Sequence, residues 1–273
     1  MLVIAFSIHG YVPYTLSYQL LMPPFRCRPA GDPTAAFYDC EHSDFYANGQ
    51  CNPAIEFEPN MDTPYSLYNW TYELELYCTS SFLIGLFGSL YFAGFMLGSL
   101  TLLRLGDIYG RRPVYLLGLA LHLISMVLVM AISSQTARYV SISMIGFATS
   151  ITVNLTFVLL LELAPAKDSG LLGGFPHALD GSNILFCTFY LTQISRHWEG
   201  YQYWGIGLSV LVTLLTLRVP ESPHFLLTMG RFGEAREVFK RIATTNGVEL
   251  EHFRFEAEVI DKKDNGELMT RLQ

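Results

Sequence analysis

Asp180 sits inside an apolar run, where an ionised side chain needs a partner or a watery cavity. Asn183, Cys187 and Tyr190 follow it at spacings of three, four and three residues, which places the four on one helical face. A carboxylate beside an aromatic ring suits an organic cation, by charge pairing and by attraction of the cation to the ring face. An earlier apolar run carries a second polar stripe, Thr149, Thr152 and Thr156, with Asn154 off to one side. The candidate substrate contacts are therefore Asp180, Asn183, Tyr190, Thr152, Asn154 and Thr156. Plainer readings exist. Asp180 could pair with His177 or cap a kink near Gly181, and Ser/Thr stripes inside membranes also join helices. Near the amino terminus, His9, Tyr11, Tyr14, Tyr18 and Gln19 could line a cavity or sit near its outer end.

A second constellation crowds Asp107, Arg111 and Arg112 around Gly110, between two runs that are almost pure hydrocarbon. Charges are costly in hydrocarbon, so this stretch must lie at a membrane surface. Gly110 suits a tight turn with positive φ, and Asp107 could accept from a neighbouring helix N-terminus. Such a cluster can hold two helical units together and release them. Anchoring alone would also account for the two arginines.

The elements that must position these residues follow from composition. Of 273 residues, 51% are hydrophobic and 15% charged, against about 25% charged in an average soluble domain; the mean hydropathy is +0.31. A spanning helix needs roughly 20 mostly apolar residues. Six runs are expected to span: Leu2 to Met22, Ser81 to Leu103, Val114 to Ile132, Tyr139 to Leu161, Leu171 to Ile194 and Tyr203 to Leu217. The first lacks a basic n-region and a small-residue cleavage site and ends at Met22-Pro23-Pro24, so it reads as a span and not a secretory signal. The chain divides into a first span (1–23), an outer loop (24–79), five further spans (80–219) and a cytoplasmic linker (220–273). Arg104, Arg111, Arg112, Lys167, Arg218, Arg231, Arg236, Lys240 and Arg241 all fall on one face if the first helix starts there, which makes both termini cytoplasmic. Arg138 and Arg196 lie in short turns on the other face.

Four cysteines, Cys27, Cys40, Cys51 and Cys78, lie in the Pro/Gly-rich outer loop, which reads as strand-poor. An even set outside the cytosol implies two disulfides, with three pairings open. Their spacing lacks the C-x-x-C pair of a zinc site, so no metal is expected. Cys187, in a span, reads as packing. Asn69-Trp70-Thr71 is a glycosylation sequon on the outer side; Asn154-Leu155-Thr156 matches the pattern inside a span, by chance. The net charge of −7 comes largely from the outer loop and the tail. No basic patch interleaved with aromatics suggests nucleic acid, and no enzyme signature or cofactor motif is present. Phe232, Ala235, Val238, Phe239 and Ile242 predict a short amphipathic helix, stopped by Thr244-Thr245-Asn246-Gly247.

Gly98-Ser99 followed by Leu105-Gly106-Asp107-Ile108-Tyr109-Gly110-Arg111-Arg112 resembles the loop between helices two and three of the major facilitator superfamily. Leu103 and Ile108 depart from that pattern. Glu162-Leu163-Ala164-Pro165-Ala166-Lys167 resembles the end of helix four in sugar and organic-ion porters, and Pro220-Glu221-Ser222-Pro223 the segment closing helix six. The long cysteine-bearing loop looks most like the organic cation/anion transporter branch. The resemblance implies an all-α membrane protein whose six transmembrane helices form the amino-terminal half of the fold, with a disulfide-bearing extracellular loop. It implies a cytoplasmic gating motif of Gly98, Asp107, Gly110, Arg111, Arg112, Glu162, Lys167 and Glu221. Ser169 and His224 stand where related porters place Arg, which weakens or rewires that lock. The implied activity is secondary active or facilitative transport of small organic solutes at the plasma membrane. One bundle cannot enclose a midplane site, so a carboxy-terminal half or a second copy is expected as partner. The alternative is a non-transporting receptor or regulatory half-transporter.

Overall fold

The computed structural model describes residues 2–47, 49–163 and 169–247. It divides into two compact units, Met1–Val219 and Pro220–Gln273.

The first expected span is broken. Helix α1 (Leu2–Ser7) passes through a 3₁₀ turn, Ile8–Gly10, into α2 (Tyr11–Gln19). Pro13 explains the break: it has no N–H for the carbonyl four residues back, and its ring crowds that carbonyl.

The outer loop is richer in strand than its sequence suggests. Strands β1 (Phe25–Pro29) and β2 (Tyr38–Cys40) pair antiparallel; beyond the short helix α3 (His42–Phe45), β3 (Tyr46–Ala47) pairs with β4 (Gln50–Cys51), and β5 (Ile55–Pro59) joins the other edge of β1. Proline and glycine hid these strands because they bound very short ones. Alternation supplies the interior: Phe25 and Cys27 of β1 are buried with Phe45 and Tyr77. On the opposite face Arg28 stands across from Glu56, bonded to it at 2.7 and 2.9 Å. That guanidinium holds the Glu56 carboxyl below the usual carboxylate range. The disulfides are Cys27–Cys40 and Cys51–Cys78, which selects one of the three pairings, and Cys187 is free and buried.

Helix α4 (Trp70–Glu73) begins inside the sequon. Asn69 is its N-cap: the side chain is buried, accepts from Tyr72 N–H at 3.2 Å and donates to the carbonyls of Tyr18 and Leu21 at 2.7 and 2.9 Å. Both amide hydrogens are used to close the end of α2.

Helix α5 (Ser81–Thr101) runs almost straight into α6 (Leu103–Tyr109), followed by α7 (Arg111–Ala131) and α8 (Gln135–Leu163). Only three helices among the described residues, Ser81–Tyr109, Arg111–Ala131 and Gln135–Leu163, are long and apolar enough to cross a membrane. Close approach of α5 and α8 rests on Gly94, Gly98 and Gly146, where a Cβ would strike the facing backbone. The fifth expected span is also broken, into α9 (Ser169–Gly181), α10 (Asn183–Phe189) and a π-helical end, Tyr190–Ile194. The sixth is α11 (Trp198–Thr216). Two apolar cores fill this unit, one around Tyr11, Phe87, Met126 and Tyr201, the other around Ile8, Leu119, Ile151 and Leu159.

In the second unit, Ser222 Oγ caps α12 (Pro223–Thr228) by accepting from Phe225 N–H at 3.1 Å. Helix α13 (Phe232–Thr245) occupies the predicted amphipathic stretch and packs through Ala235 on Phe225 and Leu226.

Candidate functional site

The charged motif is helical almost throughout. A single residue makes the turn: Gly110, at φ 108°, joins the last residue of α6 to the first of α7. A side chain would be strained there. The turn delivers Arg111 to Glu162 near the end of α8, with Nε 3.0 Å from Oε2. Asp107 is looser, 3.6 Å from Arg111 and 75% exposed, against 14% for Arg111 and 17% for Glu162. Its carboxylate meets a side chain one turn on, where the sequence suggested a helix N-terminus. Arg112 reaches the carbonyl of Leu217 at 2.7 Å, just past the end of α11, where a cation is favoured. Gly98 lies apart from these charges, on the α5 face against Phe147 and Ser150. Glu221 belongs to the second unit, where it accepts from Ser222 N–H at 2.9 Å. Lys167 falls outside the described residues.

The midsection candidates gather only in part. Asp180 Oδ1 accepts the Gly10 N–H at 2.8 Å, and Oδ2 faces the Tyr14 hydroxyl at 3.3 Å. His177, the partner weighed from sequence, bonds the Gly173 carbonyl at 2.9 Å and packs on Phe6 and Phe157. Asn183 donates to the carbonyls of Ser7 (2.5 Å) and Asp180 (3.0 Å). The Thr152 hydroxyl lies 2.9 and 3.1 Å from the Ala148 and Thr149 carbonyls of its own helix and 3.2 Å from His9 Nδ1. Asp180 and Thr152 thus approach neighbouring residues of one 3₁₀ turn. Asn154 folds back on its own helix at Ser150 (2.6 Å), and Tyr190 packs its ring against Tyr201. Thr156 is buried inside the bundle. These last three do not join Asp180.

Two pairings escaped sequence reasoning. His9 and His122 meet edge to face, with centroids 5.4 Å apart, both buried. Arg138 is a buried member of the first turn of α8, not a loop residue, and is held by Glu73 at 2.7 Å. The signal was faint: Arg138 follows a polar Ser-Ser-Gln-Thr stretch and looks like part of the turn.

Residues 37–271 match the family model described as "Sugar (and other) transporter". The chain belongs to that family. It is a member of the major facilitator superfamily, and the family is one of multi-pass membrane proteins. Among its relatives, "Solute carrier family 22 member 15-like" of Xenopus laevis is 30% identical over 169 residues, covering 61% of this chain and 34% of the relative. "Organic cation transporter protein" of Drosophila melanogaster is 28% identical over 243 residues, covering 85% of this chain and 44% of the relative. "Organic anion transporter 3" of Oryctolagus cuniculus is 25% identical over 259 residues, 82% of this chain and 44% of the relative. The chain therefore spans between a third and a half of these curated relatives. The partially occluded inward-open xylose transporter XylE from E. coli shares the fold, with a TM-score of 0.59 at 16% identity over 97% of this chain and 56% of that one. Membership of a transporter family accounts for the three long apolar helices.

Proposed function

We propose that the chain forms the amino-terminal, six-span half of an alternating-access transporter for small organic solutes, organic cations foremost. In this reading both termini are cytoplasmic at the plasma membrane, and residues 24–79 form an extracellular loop. The broken first and fifth runs count as spans together with α11. A second six-helix half, or a second copy, completes the midplane site that one bundle leaves open. Asp107, Arg111, Arg112, Glu162, Lys167 and Glu221 serve as the cytoplasmic lock, with Gly98 and Gly110 permitting its close approach and its turn.

One observation carries the cation preference. Asp180 keeps two hydrogen-bond donors but no Lys, Arg or His within ion-pair distance among the described residues. Hydrogen bonds orient its charge without neutralising it, so a cationic solute or a proton supplies the missing partner. Tyr14, partly exposed beside it, offers a ring face to the same cation. Asn154 and Tyr190 contribute to the lining only if the second half approaches them, and Thr152 and Thr156, buried within this bundle, only if its helices part.

The experiment is uptake of tetraethylammonium by the full-length transporter in vesicles, for the wild type and Asp180→Asn. Asparagine retains an acceptor for Gly10 and loses the charge. Losing a desolvated pairing costs about 2–5 kcal/mol, so uptake should fall by more than about tenfold at unchanged surface protein. Normal uptake by the variant would leave Asp180 structural and remove the cation preference.

A further inference from the structure

The first and fifth runs break beside one another, and the residues at the two breaks are bonded across the gap. In the first run the break is the 3₁₀ turn Ile8–Gly10; in the fifth it is Ser182, between α9 and α10. The leading piece α1 packs on α9 and the trailing piece α2 on α10. At the level of the breaks, Asn183 of α10 donates to the Ser7 carbonyl of α1 at 2.5 Å, and Gly10 donates to Asp180 of α9 at 2.8 Å. Tyr14 of α2 reaches the same carboxylate at 3.3 Å. One turn further along, Tyr18 and Thr188 join the trailing pieces at 2.6 Å. The approach is close enough that a Cβ on Gly10 would collide with Asp180 Oδ1 and with the Tyr14 ring.

We propose that the two breaks form a single paired hinge, about which the first and fifth runs bend together. Bending one run alone would separate Asn183 from Ser7 and Asp180 from Gly10, leaving partly buried polar groups without partners. Bending both keeps the leading pair α1–α9 and the trailing pair α2–α10 as two packed layers. Irregularities in the helical hydrogen-bond ladder with identifiable causes are where helices bend most cheaply: Pro13 supplies the cause in one run, and in the other the Ser182 N–H is shared between the Ala178 and Leu179 carbonyls while its Oγ bonds back to Leu179 at 2.6 Å. Asn183 is then a hinge residue. Its amide is committed to backbone carbonyls, and its role is to keep the two breaks in register.

The test is amide hydrogen exchange of the full-length protein in lipid nanodiscs, which requires no solute and is therefore independent of the cation reading. Asn183→Leu keeps the volume and removes both donations. Exchange should rise about fivefold over residues 169–194 and, though the substitution lies in the fifth run, equally over residues 2–19. Gly10→Ala, placed in the first run, should loosen residues 169–194 in return. Thr188→Val is milder and acts on a partly buried contact, so it folds even if the others do not. It should raise exchange over 11–19 and 183–194 together. Leu185→Ala, an exposed position on the same helix, should change neither run beyond its own site. Effects confined to the run that carries each substitution would overturn the paired hinge.

Discussion

Arg138 and Glu73 meet at 2.7 Å, the arginine side chain fully buried and the glutamate 25% exposed, with the guanidinium 4.9 and 4.8 Å from the ring centroids of Trp70 and Trp198. Glu73 also accepts from Ser133 at 2.7 Å. The pair therefore ties the end of the outer loop to the start of α8, while Trp198 brings in the start of α11. Removing one member of a buried pair strands the other, at a cost of about 3–5 kcal/mol. We expect Arg138→Ala to lower the unfolding free energy of the purified protein by an amount toward the low end of that range, about 3 kcal/mol, because Glu73 keeps some access to water. Arg138→Lys should rescue little of it, because an ammonium cannot present a flat face to two indoles. Full rescue by Lys would mean that charge alone matters there.

Asn69 should carry no glycan. Its amide is spent on Tyr18, Leu21 and Tyr72, and a sugar, which replaces one Nδ2 hydrogen, would break at least one of the two donated bonds in a buried place. Glycosidase treatment of the secretory-pathway product should leave the mass of the 61–79 peptide unchanged. Asn69→Ala should destabilise by about 1–2 kcal/mol through the lost cap and the two unpaired carbonyls. A glycosidase-sensitive mass on Asn69 itself would show that the loop adopts another arrangement.

Thiol labelling of the denatured, non-reduced protein should modify Cys187 alone, and peptide mapping should recover Cys27 with Cys40 and Cys51 with Cys78. The bridges close segments of 13 and 27 residues. Loop closure grows slowly with length, so removing the longer bridge should cost about 0.6 kcal/mol more than removing the shorter. Labelling of several loop cysteines in mature protein would contradict the framework.

What could be read from the sequence was periodic or unusual in composition. The runs behind α5, α7 and α8 announce themselves by length and apolarity, and Gly110 by its place between charges. A kink near Gly181 is one reading of Asp180, but the break at Ile8–Gly10 did not appear, because hydropathy averages over a window and a break changes only a few residues. The sheet in residues 24–79 was hidden because its strands are two to five residues long and bounded by proline. Partners distant in sequence were the least legible. Asp180 was singled out as needing a partner, but that partner is a backbone N–H, Gly10, 170 positions away, which no side-chain pattern encodes. The burial of Asn69 was hidden for the same reason: the tripeptide is local, and the carbonyls that use its amide are not.

The charged motif divides unequally, and that supports the last prediction. Arg111 is 14% exposed and bound at 3.0 Å to Glu162, itself 17% exposed, whereas Asp107 is 75% exposed at 3.6 Å. An exposed pair is worth about 0–1 kcal/mol, since water screens it and two side chains must be held still. A pair withdrawn from water loses more when one member is neutralised, because the remaining charge is left in a poor solvent. Glu162→Gln should therefore destabilise the first unit by about 1–3 kcal/mol, while Asp107→Asn, which keeps the shape, should fall within about 0.5 kcal/mol of wild type. Arg111→Gln should resemble Glu162→Gln, and the double variant should cost less than the sum of the two, as expected for residues in contact. Salt separates the contacts further: raising ionic strength should weaken the contribution of Asp107 and leave that of Glu162 largely intact. The measurement is a denaturation series on the four variants in detergent at low and high salt. Equal costs for Asp107→Asn and Glu162→Gln would place the weight of the motif on its exposed acid and refute the division between the two carboxylates.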